Sequence, residues 1–153
     1  MEPEKRNYFV YFYSYFAAQV IFIYVNVFLP VYFFHVLDIN YTELAFIQIF
    51  AYSAFFIKPI IAIYFDSIKS INKILIIVSS FGTLFSLIFL IIYLNVLIIF
   101  GIFLGINVAF ISIIDIAIDK IIVSNSPDEK SNDRNALITQ LGAIIGAIFP
   151  NVI

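Results

Sequence analysis

Apolar residues fill this chain in long continuous runs, each broken by a short polar or charged cluster. Spanning the hydrocarbon of a bilayer takes roughly 20 helical residues. Four runs meet that length, at residues 8–33, 43–65, 74–93 and 96–123. A fifth opens near Ala136 and occupies 136–153. None alternates apolar with polar residues in the segments of about 10 that mark membrane β-strands. The pattern therefore predicts an all-α membrane protein, a helical transmembrane bundle of four complete spans and a truncated fifth in one domain over 1–153. Pro30 interrupts the first span near its far end.

Composition supports the bilayer as solvent and principal partner. The chain is 63% hydrophobic and 12% charged, against about half and a quarter in soluble domains. A core of this size cannot hide so much apolar surface. The net charge of −2 argues against nucleic acid, which requires a basic face. With no cysteine, disulfides, thiolate nucleophiles and thiolate metal sites drop out. The charged N-terminus is followed by an apolar stretch too long for a signal h-region and lacking a small-residue cleavage site. It reads as a retained first span.

The basic residues set the expected orientation. Lys5 and Arg6 precede span 1, Lys69 and Lys73 lie between spans 2 and 3, and Lys120, Lys130 and Arg134 follow span 4. The connections at 37–42 and 94–95 hold no Lys or Arg. By the positive-inside rule the basic side faces the cytoplasm. An integral protein of the cell membrane with a cytoplasmic N-terminus is expected. The polar loop 124–135 joins spans 4 and 5, with a turn at Pro127 and Asp128 and Ser131 or Asn132 as helix cap. Small residues recur every fourth position at Gly101, Gly105 and Ala109 and at Gly142 and Gly146, a spacing that lets helix backbones approach closely.

Charges inside apolar runs are costly and usually functional. Lys58, beside Pro59, lies 8 residues before Asp66, or about 12 Å along a helix. Asp115 and Asp119, four apart on span 4, share a helix face. The depths match, so Lys58 is expected to pair with Asp115, and Asp119 with Lys69 or Lys73 at the membrane surface. Blander readings stand beside these. Asp66, Lys69 and Lys73 can act as topology determinants alone, Asp119 can be interfacial, and Lys58 can snorkel to the headgroups. Asp115 is too short to snorkel and should be paired, protonated or open to a cavity. On span 1, Gln19 and Asn26 are seven apart on one face near Ser14; cavity lining and interhelical hydrogen bonding are equally open. His35 falls in an outer loop with no second ligand at metal spacing. No nucleophile–base pairing, phosphate loop or metal cluster supports an enzyme, and no cofactor is implied.

A long second span ending in Asp66, then a short basic turn and another helix, resembles the loop between the second and third helices of the major facilitator superfamily. The family form is Gly, three residues, Asp, then Gly-Arg-Arg/Lys. Here Ala62 stands at the glycine, Asp66 matches the acid, and Lys69 and Lys73 loosely replace the basic cluster. The folate–biopterin transporter branch is more similar. Its Lys-Pro-Leu-x-Gly-x-x-Ser-Asp-Ser run corresponds to Lys58, Pro59 and onward to Asp66 and Ser67. Its Ser-Asp-Val-x-x-Asp-like pattern on the fourth helix is similar to Ser112, Asp115 and Asp119.

The resemblance implies the N-terminal portion of a secondary transporter that moves a small organic solute, such as a folate- or pterin-like anion, by alternating access. By position, Asp66, Lys69, Lys73 and Asp119 would form the cytoplasmic gate. Lys58 and Asp115, with Gln19 and Asn26 on the first span, would lie nearer the cavity and bind substrate or couple protons. The match covers about four and a half of twelve helices, so a missing C-terminal half or a companion polypeptide would complete the site. A non-transporting membrane subunit or degenerate transporter remnant is the alternative. A channel of oligomerised copies fits less well, because no span shows a continuous polar stripe.

Overall fold

The computed structural model describes residues 3–66, 72–126 and 128–151, with side chains from Tyr8 to Phe65, Ile74 to Ser126 and Asp128 to Pro150. Those residues are helical almost throughout and contain no strand. In chain order they form α1 (Pro3–Ile23), a π turn (Tyr24–Phe28), α2 (Leu29–Val36), α3 (Tyr41–Asp66), α4 (Asn72–Ile92), α5 (Leu97–Ser124) and α6 (Glu129–Ile148). A 3₁₀ turn (Phe149–Asn151) follows. Among the described residues, four helical stretches are long and apolar enough to cross a membrane: Tyr8–Val36, Tyr41–Phe65, Ile74–Ile92 and Leu97–Ser124. The all-α membrane architecture expected from the apolar runs is what the chain adopts.

Local chemistry explains where the helices change or stop. Pro30 has no N–H, and its ring crowds the carbonyl four residues earlier, at Asn26. The chain relieves this by widening into the π turn Tyr24–Phe28 just before the proline. The interruption of the first span thus falls N-terminal to Pro30. Helix α2 ends before Asp38, whose φ of 56° lies in the left-handed region. Asn40 and Glu43 then close a reciprocal box at the start of α3. The Asn40 carboxamide oxygen accepts from the Glu43 N–H at 2.9 Å, and the Glu43 carboxylate accepts from the Asn40 N–H at 3.1 Å. Helix α3 then runs unbroken through Pro59 to Asp66.

Helix α6 starts at Glu129, earlier than the Ala136 at which its apolar run begins. The Asp128 carboxylate accepts from the Ser131 N–H at 2.7 Å, making Asp128 the cap and Ser131 the third helical residue. The first two turns of α6 are therefore polar, and its apolar part is shorter than the other spans.

The chain divides into two compact units. One contains α1, the π turn, the end of α5 from Ile118, and α6; the other is Leu29–Ala117. In the first, α1 packs along α6 at backbone distance. A side chain at Gly142 would meet the Phe12 carbonyl oxygen, and one at Gly146 would lie 2.5 Å from that of Phe16. In the second, the core is apolar and aromatic: Phe33 and Phe100 pack edge to face at 4.8 Å, with Ile47, Ala51, Leu104 and Val108 buried alongside. Gly105 admits the backbone of Phe50 from α3, and Phe110 of α5 seats over Gly82 of α4. The small-residue spacing read from the sequence is thus used as helix contact. Large apolar side chains such as Phe56, Ile60 and Ile63 on α3 stay more than 60% exposed, as lipid-facing residues must.

Candidate functional site: charges within the apolar helices

Within the Leu29–Ala117 unit, the Lys58 ammonium forms an ion pair with the Asp115 carboxylate. Lys58 is carried on α3 next to Pro59, and Asp115 on α5, so the pair ties together two helices 57 residues apart in sequence. The side chains are 34% and 25% exposed, so the pair is neither sealed in the core nor fully open. Around Asp115, Ser112, Ile116 and Ala117 are buried. A charge-assisted contact in such surroundings is stronger than its counterpart in water. It also leaves part of each group reachable.

The other acidic residue of α5 has a different partner. In the α1–α6 unit, the Asp119 carboxylate accepts a hydrogen bond from the Tyr15 hydroxyl of α1. The lysines expected beside it, Lys69 and Lys73, lie outside the residues whose side chains are described, as does the Asp66 side chain. Nothing in the sequence singles out Tyr15, because a tyrosine in an aromatic-rich helix carries no distinguishing pattern. More polar contacts occur in the same unit. The Asn125 amide donates to the Tyr11 hydroxyl at 3.0 Å, the Asn135 amide donates to the Ser126 hydroxyl at 2.9 Å, and the Arg134 guanidinium stands 4.9 Å from the centre of the Tyr8 ring. The stacked cation is favourable in its own right.

Gln19 and Asn26 go different ways. Gln19 is half-buried on α1, its Cβ against Gly146 of α6. Asn26 is half-buried in the π turn, and its amide donates to the Phe22 carbonyl at 2.9 Å within its own helix. His35 is exposed at the end of α2. Among the described residues, no group of three His, Cys, Asp or Glu side chains could hold a metal ion.

A buried polar cluster on α4 and α5 is absent from the sequence reading. Ser79, Thr83 and Ser86 line one face of α4, and Asn107 of α5 is wholly buried against them. The Asn107 amide donates to the Ser86 hydroxyl at 2.8 Å and to the Thr83 carbonyl at 3.2 Å. The i, i+4, i+7 spacing of the three hydroxyl residues is the signal that marks it. A short polar stripe, two turns of the 21-residue α4, is thus buried, with Thr83 and Ser86 meeting Asn107 of α5. Comparison with known protein families, curated proteins and solved structures finds no match.

Proposed function

We propose that the chain is part of a secondary transporter that moves a small organic solute, of the folate- or pterin-like anion class, by alternating access. In this reading Lys58 and Asp115 bind substrate or couple protons. The reading also places the N-terminus in the cytoplasm, from the Lys and Arg bias of the loops. The remaining spans come from further chain or a companion polypeptide. Four apolar helices fit a membrane protein, and the observation that carries the proposal is the Lys58–Asp115 ion pair within two of them.

A lysine and an aspartate inside apolar helices each disfavour insertion by a few kcal/mol, about 2.5–3.5 at a helix centre. A pair serving only as a staple could be replaced by packed apolar residues with little loss or even a gain. Retaining charge there is useful if an anionic solute can compete for the Lys58 ammonium while Asp115 takes up a proton. The partial exposure of both side chains suits such exchange. The same pair also suits a staple in a non-transporting membrane subunit, so the test must separate the two.

The test is uptake of labelled folate, pterins and other small organic anions by cells carrying the complete transporter. Lys58→Ala and Asp115→Asn should each abolish uptake while surface labelling shows normal protein at the membrane. Wild-type uptake in both variants would remove the pair from the mechanism, and no uptake by the wild type would favour the non-transporting subunit.

A further inference from the structure

The cluster on α4 and α5 plays no part in the proposed transport chemistry, and its hydrogen-bond inventory is unbalanced. Ser79, Thr83, Ser86 and Asn107 are 2%, 5%, 0% and 0% exposed. The Thr83 hydroxyl donates to the Ser79 carbonyl, and the Ser86 hydroxyl to the Thr83 carbonyl, both at 2.9 Å. Both amide hydrogens of Asn107 are engaged as well, one on the Ser86 hydroxyl and one on the Thr83 carbonyl. The Asn107 Oδ1 atom is buried and meets no donor among the described residues. Turning the amide over would set that oxygen against the Thr83 carbonyl oxygen, acceptor against acceptor, so the two donated bonds fix its orientation.

A buried carbonyl oxygen without a donor costs about 1–3 kcal/mol. Such an atom in a native fold calls for a water or an ion. The amide hydrogens and the Thr83 and Ser86 hydroxyl hydrogens are already committed, so the capacity left at Asn107 is for a donor, which rules out an anion. The four residues are uncharged, so a bare cation would lie in apolar surroundings without a counter-charge, an unfavourable placement. A neutral molecule with hydrogens to give, small enough for a wholly buried position, satisfies these conditions. Asn135 Oδ1 also lacks a donor among the described residues, but it lies in the polar first two turns of α6 rather than within an apolar run. Asn107 sits eleventh in the 28-residue α5, within its apolar run, so its water must be held.

We propose that Asn107 Oδ1 anchors an internal water site between α4 and α5, with the Ser86 hydroxyl oxygen as its neighbouring acceptor. Bound waters of this kind typically make about three hydrogen bonds and are costly to remove. The site rests on the hydrogen-bond inventory alone and stands or falls independently of transport.

The test uses the full chain, labelled with ¹³C and ¹⁵N, in bilayers of perdeuterated lipid. Magnetisation is transferred from water to the protein in the solid state. The Asn107 carboxamide should gain signal several-fold faster than the methyls of buried Ile47. An Asn107→Leu variant, which keeps the Ser86 and Thr83 hydroxyl bonds, should lose that signal and so confirm its assignment; if it does not fold, sequential assignment of the wild type serves. Signal growth no faster than at Ile47 overturns the proposal. Replacing sodium chloride by choline chloride should leave the Asn107 resonances unmoved. A shift that reverses on restoring sodium overturns it too, by making the ligand a cation.

Discussion

Asp128 shows how one side chain decides where a helix starts. Its carboxyl is held below its ordinary value of 3.8, first by the Ser131 side chain and then by the Ser131 backbone N–H. Because the folded value is the lower one, the charged cap stabilises α6 fully above pH 3.8 and loses that contribution as pH falls through the folded value. Protection of the Ser131 amide, taken as its hydrogen-exchange rate relative to the intrinsic rate at each pH, should therefore fall below pH 3.8 in the wild type. In Asp128→Asn, which keeps an acceptor but not the charge, protection should not show that pH-dependent fall. Lys58 and Asp115 are the other case in which single residues speak clearly. Their pairing is legible in the sequence because charges are rare in apolar runs and helical rise fixes their depth. The Tyr15 bond to Asp119 is not, because phenolic oxygens are plentiful on α1 and only three-dimensional packing selects one.

At the scale of elements, the apolar runs locate the four long helices to within a few residues, since hydrocarbon thickness dictates their length. The ends are less legible. A polar segment can extend a helix if a cap is available, as Asp128 does for α6. A proline can move its disturbance one turn upstream, as Pro30 does in the π turn. The α4 stripe is hard to see because Ser and Thr satisfy their hydroxyls on their own helix and cost an apolar run little. The small residues do serve as contacts, and their geometry makes a sharp prediction. Gly146→Leu must push the backbone of α1 away at Phe16. It should lower the unfolding free energy by about 1–3 kcal/mol, the usual cost of overpacking, measured by denaturant titration in detergent. The matching control is Gln140→Leu, on the exposed face of the same helix, which should change stability by no more than about 0.5 kcal/mol.

For the whole molecule, the four apolar helices fit a lipid solvent, and the cytoplasmic N-terminus proposed from the loop charges can be tested directly. The chain contains no cysteine, so single introduced thiols report topology without background. Ser126→Cys, in the loop after α5, should react with a membrane-impermeant maleimide only once the membrane is opened to give access to the cytoplasmic side. Asn40→Cys, between α2 and α3, should react from outside in intact cells. The reverse pattern would invert the orientation and with it the proposed cytoplasmic gate.

The proposed transport chemistry requires that Lys58 and Asp115 stabilise one another inside the apolar helices. A double-mutant cycle of Lys58→Met and Asp115→Asn, read as unfolding free energy in lipid nanodiscs, tests that directly. Removing one partner from a fully buried pair costs about 3–5 kcal/mol. With the side chains 34% and 25% exposed, solvent screening reduces the expected loss to about 2 kcal/mol. The double variant should cost less than the sum of the singles by at least about 1 kcal/mol. Losses that add to within about 0.5 kcal/mol would mean two independent charges, and the pair at the centre of the proposed mechanism would not exist.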